Sequence, residues 1–206
     1  MIVFRHEGDS LIVRMSRSIS FFFVRHSIIP AEDREVYEYS LEVLLSTALG
    51  FLAIFAIAVA SRTLLYSILF LAGFIPLRLV AGGYHAQSHL RCFLILMLTY
   101  SAFLLITRVL PDKWIVLFTI TSVLMTDLSV FLFAPSEDTN KPLSSEEIAR
   151  LKKKSRVASA GSTIIAFIAV FLIPNTRIAL SFALGMLTVG VSLLANFIKQ
   201  KSQESD

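Results

Sequence analysis

Six oily runs, each close to the roughly 20 residues that cross a bilayer as a helix, leave this chain little choice of architecture. They lie at Leu41–Ala60, Thr63–Ala81, Leu90–Leu110, Trp114–Ala134, Val157–Ile173 and Arg177–Ile198. Backbone polar groups in hydrocarbon must be satisfied within the segment that carries them, which predicts helices. The runs are too long and too uniformly apolar for the alternating pattern of a membrane β-barrel. Composition agrees: 55% of the 206 residues are hydrophobic and 17% charged, against about 25% charged in a soluble domain. The expected fold class is an all-α integral membrane protein with six transmembrane helices. Only Ser61-Arg62 separates the first two runs, and PDK at 111–113 and PNT at 174–176 make similar short turns, with proline where a helix must stop. Hydropathy thus divides the chain into an N-terminal segment 1–39, a six-span domain 40–198 and a tail 199–206.

The N-terminal segment mixes charge with apolar residues and shows no cleavable signal pattern. Its run ISFFFVRHSII is too short to span and carries Arg25 and His26. It predicts a short amphipathic helix over 17–29 lying in the membrane interface. With six spans, this segment, the 78–92 connection, the 135–156 loop and the tail share one side. Fifteen of the 19 Lys and Arg residues fall there, leaving Arg62, Arg108, Lys113 and Arg177 opposite. The positive-inside bias therefore predicts that both termini are cytoplasmic. It also accounts for a pI near 9.4 without nucleic acid as a partner. One cysteine excludes an intrachain disulfide.

That cysteine closes the most unusual stretch, RLVAGGYHAQSHLRC at 78–92. His85 and Cys92 would share a face of a straight helix but sit about 10.5 Å apart along its axis. A nucleophile–base hydrogen bond needs about 2.6–3.2 Å. His89, three residues before Cys92, is the helical neighbour. His85 can serve Cys92 only if the backbone bends, and Gly82-Gly83 makes an irregular entry reasonable. Arg78 and Arg91 add positive potential that favours a thiolate or an oxyanion, and a Cys–His pair is an acyl-transfer site. The plainer reading is a small packing cysteine beside arginines that anchor a span end. A third is zinc: His85, His89 and Cys92 fall at i, i+4 and i+7, a trio with an open fourth position. The glutamate of an HExxH base is missing between the histidines.

Arg78-Leu-Val-Ala-Gly82-Gly83-Tyr84-His85-Ala86, followed by Cys92, resembles the signature of the accessory gene regulator B (AgrB) family. FAPSEDTNKPL at 133–143 resembles that family's second, weaker signature. The resemblance implies an integral-membrane cysteine endopeptidase of Gram-positive bacteria that processes an AgrD-like precursor of a cyclic quorum-sensing peptide. It implies His85 as the catalytic histidine, Cys92 as the nucleophile, supporting places for Arg78 and Gly83, a homodimer, and no cofactor or resident metal. It also implies a bend between residues 85 and 92.

Other polar residues extend the expectation. Asp127 lies inside the fourth run, where a carboxylate is costly and faces protein or a cavity; it is a candidate to orient His85. Lys152, Lys153 and Lys154 are candidates to grip an acidic precursor tail, with anionic membrane lipid as the competing partner. Ser144-Ser145 before Glu146-Glu147 marks a helix start, and the lysines are expected to close a short cytoplasmic helix ahead of the fifth span. Two alternatives stand beside the peptidase: a zinc-dependent hydrolase using His85, His89 and Cys92, and a small peptide transporter coupled through Asp127.

Overall fold

The computed structural model describes residues 11–83, 89–136 and 144–204. Among them are seven α-helices: α1 (Leu11–Arg25), α2 (Arg34–Ala60), α3 (Leu64–Ala81), α4 (His89–Val109), α5 (Asp112–Phe133), α6 (Ser145–Leu172) and α7 (Thr176–Glu204). Helices α2 to α7 are long and apolar enough to cross a membrane. Leu79, Leu98, Phe171 and Leu172 are each more than 70% exposed, a surface that suits hydrocarbon and not water. The protein is a multi-pass membrane protein.

Several helices outrun their hydropathy. α2 starts seven residues before the expected span, and α7 runs on through the expected tail to Glu204. α6 corrects the expectation of a separate cytoplasmic helix. Ser144 caps it with a capping box, accepting from Glu147 N while Glu147 accepts from Ser144 N. The helix then passes through Lys152–Lys154 without a break, because no Gly or Pro interrupts the ladder before the apolar run. The short N-terminal helix also sits earlier than the expected 17–29, at 11–25. It ends where Ser27 takes a left-handed conformation (φ 54°) and Ile28 N bonds back to Phe23 O, a Schellman stop.

The chain divides into two compact units: Met1–Ile57 with Ala86–Leu98, and Ala58–His85 with Thr99–Asp206. In the first, α1 is fastened to α2 by charge. Arg17 Nε donates to Glu38 Oε1 at 3.2 Å, Arg34 lies 3.8 Å from Glu38 Oε2, and the Arg34 guanidinium sits over the Phe21 ring. Val13, Ser16 and Ser20 are the buried positions of α1, whereas Leu11, Met15 and Phe22 are exposed, as are Arg14 and Arg25. An outward apolar stripe beside arginines is the pattern of a helix lying in a membrane interface. Farther along, α2 meets α4 at Gly50, where a Cβ would fall 2.7 Å from Leu96 Cδ2.

The second unit is built around α7. Residues 179–186 of α7 are buried without interruption, so this stretch is covered on all sides. Leu77 and Ala81 of α3, Val123 and Val130 of α5, Ala166 of α6, and Phe182, Met186 and Val189 of α7 form one apolar core. The approach of α3 to α7 is reciprocal: a Cβ on Gly73 would strike Phe182 O, and a Cβ on Gly185 would strike Phe70 O. Small residues at such crossings let helix backbones pack closely where lipid tails supply no hydrophobic drive. The α2–α3 hairpin is as tight as the sequence predicts: Arg62 turns left-handed (φ 56°) and Thr63 N bonds to Ala58 O.

Candidate active site

At the C-terminal end of α3 the backbone leaves the helix through two glycines. Gly82 (φ 75°, ψ −141°) and Gly83 (φ 133°) occupy conformations that side chains other than hydrogen rarely allow. Space forbids a side chain as well. A Cβ on Gly82 would lie 2.6 Å from Ser136 O, and one on Gly83 would lie 2.6 Å from Ser192 Oγ and collide with Arg78.

Hydrogen bonds explain the crowding. Arg78 Nη1 donates to Gly82 O at 2.9 Å and to Ser192 Oγ at 2.8 Å. Ser136 N donates to Ala81 O at 2.9 Å, and Asn196 Nδ2 donates to Ser136 Oγ at 2.5 Å. The head of the first sequence motif (Arg78, Gly82, Gly83) and the start of the second (Phe133–Ser136) are therefore joined, and α7 holds both. Ser192 and Asn196 were not singled out by the sequence reading. The available signal was two polar residues spaced i, i+4 within an apolar span. A groove of about 210 Å³ opens beside this junction, with Phe133, Pro135 and Ser136 on one wall and Leu193, Asn196 and Phe197 on the other.

Cys92 is a free, exposed thiol in the first turn of α4, which begins at His89. The first turn of a helix carries backbone N–H groups without intrahelical acceptors and the positive end of the helix dipole, which together favour a negative group there. His85 lies outside the described residues, so its distance to Cys92 and the zinc trio that includes it lie outside them too. Among the described residues, no group of three His, Cys, Asp or Glu side chains stands close enough to hold a metal ion. Arg91 is exposed.

Asp127 of α5 is half-buried and engaged by α6. Ser159 Oγ donates to its Oδ1 at 2.5 Å and Thr163 Oγ1 to its Oδ2 at 2.8 Å. One helical turn further along α5, Arg156 of α6 donates to Phe131 O and its guanidinium lies over the Phe131 ring. Lys152, Lys153 and Lys154 are all exposed on α6.

A family model, accessory gene regulator B, matches residues 16–194. An AgrB-like protein of Listeria innocua is 32% identical over 166 residues, covering 79% of this chain and 78% of its own length. One from Listeria monocytogenes serotype 4a is likewise 32% identical over the same shares. A more distant one, from Clostridium beijerinckii, is 28% identical over 148 residues, 68% of this chain and 71% of its own. No solved structure matches the chain.

Proposed function

The chain belongs to the accessory gene regulator B family, and from that premise we propose that it is a membrane cysteine endopeptidase acting on a quorum-sensing peptide precursor. The observation that carries the reading is Cys92: the chain's single thiol, free and exposed in the first turn of α4, within the span of the family match.

The chemistry follows from a thiol nucleophile. The Cys92 thiolate attacks a peptide carbonyl on the C-terminal side of the precursor. His85 takes the thiol proton and returns it to the leaving amine. The C–N bond breaks, the C-terminal tail departs as an amine, and the rest of the precursor remains as a thioester on Cys92. The positive end of the α4 dipole, where Cys92 sits, is suited to the tetrahedral oxyanion. A precursor thiol then attacks the thioester, closes a thiolactone and regenerates the Cys92 thiol; a precursor hydroxyl gives a lactone by the same step. Thioester exchange keeps the acyl group activated, so ring closure is nearly balanced. Shielding from water suppresses the competing hydrolysis.

The surrounding residues take supporting places. Arg78 and Gly83 shape the entry to the catalytic segment. Lys152, Lys153 and Lys154 offer positive charge to an acidic precursor tail or to anionic lipid. Asp127 is a candidate to orient His85 through the acceptor sites left on its oxygens, each of which takes one hydroxyl bond from Ser159 or Thr163. The asymmetry of cations supports a cytoplasmic side for the site and both termini, where a precursor is made. A homodimer rests on the resemblance alone.

Coexpression with the precursor, followed by mass spectrometry, tests the reading. Cleavage is expected to vanish in Cys92→Ala and His85→Ala and to persist in His89→Ala. Full cleavage by Cys92→Ala removes the mechanism, and loss confined to His89→Ala moves the base to His89.

A further inference from the structure

Ser192 and Asn196 lie outside both sequence motifs, yet their side chains reach one motif each. Ser192 Oγ accepts from Arg78, whose same nitrogen holds Gly82 O. Asn196 donates to the hydroxyl of Ser136, whose backbone N–H holds the last carbonyl of α3. The two residues are four apart on α7, hence on one face and one turn from each other. Asn196 is 7% exposed, so its amide acts in a place where an unmet polar group is costly. α7 is also the most enclosed of the membrane helices, with 61% of its apolar stretch buried against 17% for α2 and α4. A rigid central helix thus presents two polar side chains to a backbone turn that glycine leaves otherwise free.

We propose that Ser192 and Asn196 are positioning residues of the peptidase, fixing the Gly82-Gly83 turn from which the chain runs to His85 and Cys92. The proposal rests on the cysteine-peptidase reading but reaches residues that reading does not use. As positioning residues they act through Arg78 and Ser136. Their contribution lies in the orientation of the reacting groups, where a displacement of about 1 Å costs on the order of 100-fold in rate. The effect therefore falls on kcat and leaves KM nearly unchanged. Ser192→Thr keeps the hydroxyl acceptor and recovers most of the rate lost in Ser192→Ala, whereas a purely space-filling role for Ser192 favours Ala over the larger Thr.

Two measurements on full-length protein in detergent or liposomes test this. In the first, precursor cleavage by Ser192→Ala and Asn196→Ala is expected to fall roughly 10- to 100-fold in kcat with thermal unfolding close to native. Native kcat in both folded variants overturns the proposal, as does a loss that Ser192→Thr shares in full. The second needs no precursor: the rate at which a maleimide alkylates Cys92, the chain's single thiol. It is expected to change severalfold in both alanine variants and to return toward native in Ser192→Thr; native rates throughout overturn the proposal. Failure of the peptidase reading appears separately, as cleavage that survives Cys92→Ala.

Discussion

The two ends of the bundle around α7 are both fastened by arginine, in opposite ways. At one end Arg78 reaches Gly82 O and Ser192 Oγ in a space so tight that neither glycine has room for a Cβ. At the other, Arg177 reaches the carbonyls of Thr107 and Leu110 and pairs with Asp112 at 2.7 Å, while Arg108 holds Ser61 O. Asp112 is largely solvent-facing there, so the ion pair contributes little and the carbonyl bonds do most of the fastening. The first end depends on shape and unusual backbone; the second depends on adaptable hydrogen bonds. Only the first adjoins the segment that leads to His85 and Cys92. A membrane enzyme of this build concentrates its geometric intolerance where chemistry is proposed and uses forgiving clamps elsewhere.

The comparison can be broken by substitutions, and the largest effect is expected from Gly82→Ala. Its Cβ meets the Ser136 carbonyl, a backbone atom, at 2.6 Å, so the two motifs must separate. Precursor cleavage should fall below detection, with a stability loss of about 2–4 kcal/mol measured by thermal unfolding. Arg78→Lys comes next. One guanidinium nitrogen serves both acceptors; a compact, strongly hydrated lysine ammonium does not set a donor at that place, and cleavage should drop roughly 10- to 100-fold in protein that remains folded. At the opposite end, Arg177→Ala should lower stability by roughly 1–2 kcal/mol while cleavage per folded molecule stays native. Equal damage to catalysis from Arg177→Ala and Arg78→Lys would erase the distinction between the ends. The smallest effect is expected at Gly161 of α6, where a Cβ meets nothing within 4 Å. Gly161→Ala should be neutral or stabilising by less than about 1 kcal/mol in the same unfolding assay.

Much of the architecture was legible because hydrocarbon imposes one rule on every span. The six runs, the Ser61-Arg62 turn and the start of α6 at Ser144 follow from apolar length, turn chemistry and capping. Helix ends were less legible where polar turns continue a span, as in α2, α6 and α7, since hydropathy marks the membrane and not the end of a hydrogen-bond ladder. For α1, the apolar positions Leu11 and Met15 lay in a charged stretch that hid the helix start. At the candidate site, the family resemblance marked Arg78, Gly83 and Cys92, but the junction of the two motifs is a tertiary fact. Nothing in the local pattern of Ser192 and Asn196 says which turns they reach. Asp127 shows the same limit: its rarity in a span was visible, while its partners Ser159 and Thr163 depend on how α5 meets α6.

The central claim is a thioester on Cys92. Protein purified after brief mixing with precursor, and quenched in acid, can be weighed intact and after digestion. The account predicts an adduct on the peptide containing Cys92, equal in mass to the precursor without its C-terminal tail and released by neutral hydroxylamine. Cleaved precursor with no such adduct, produced equally well by Cys92→Ala, would contradict it.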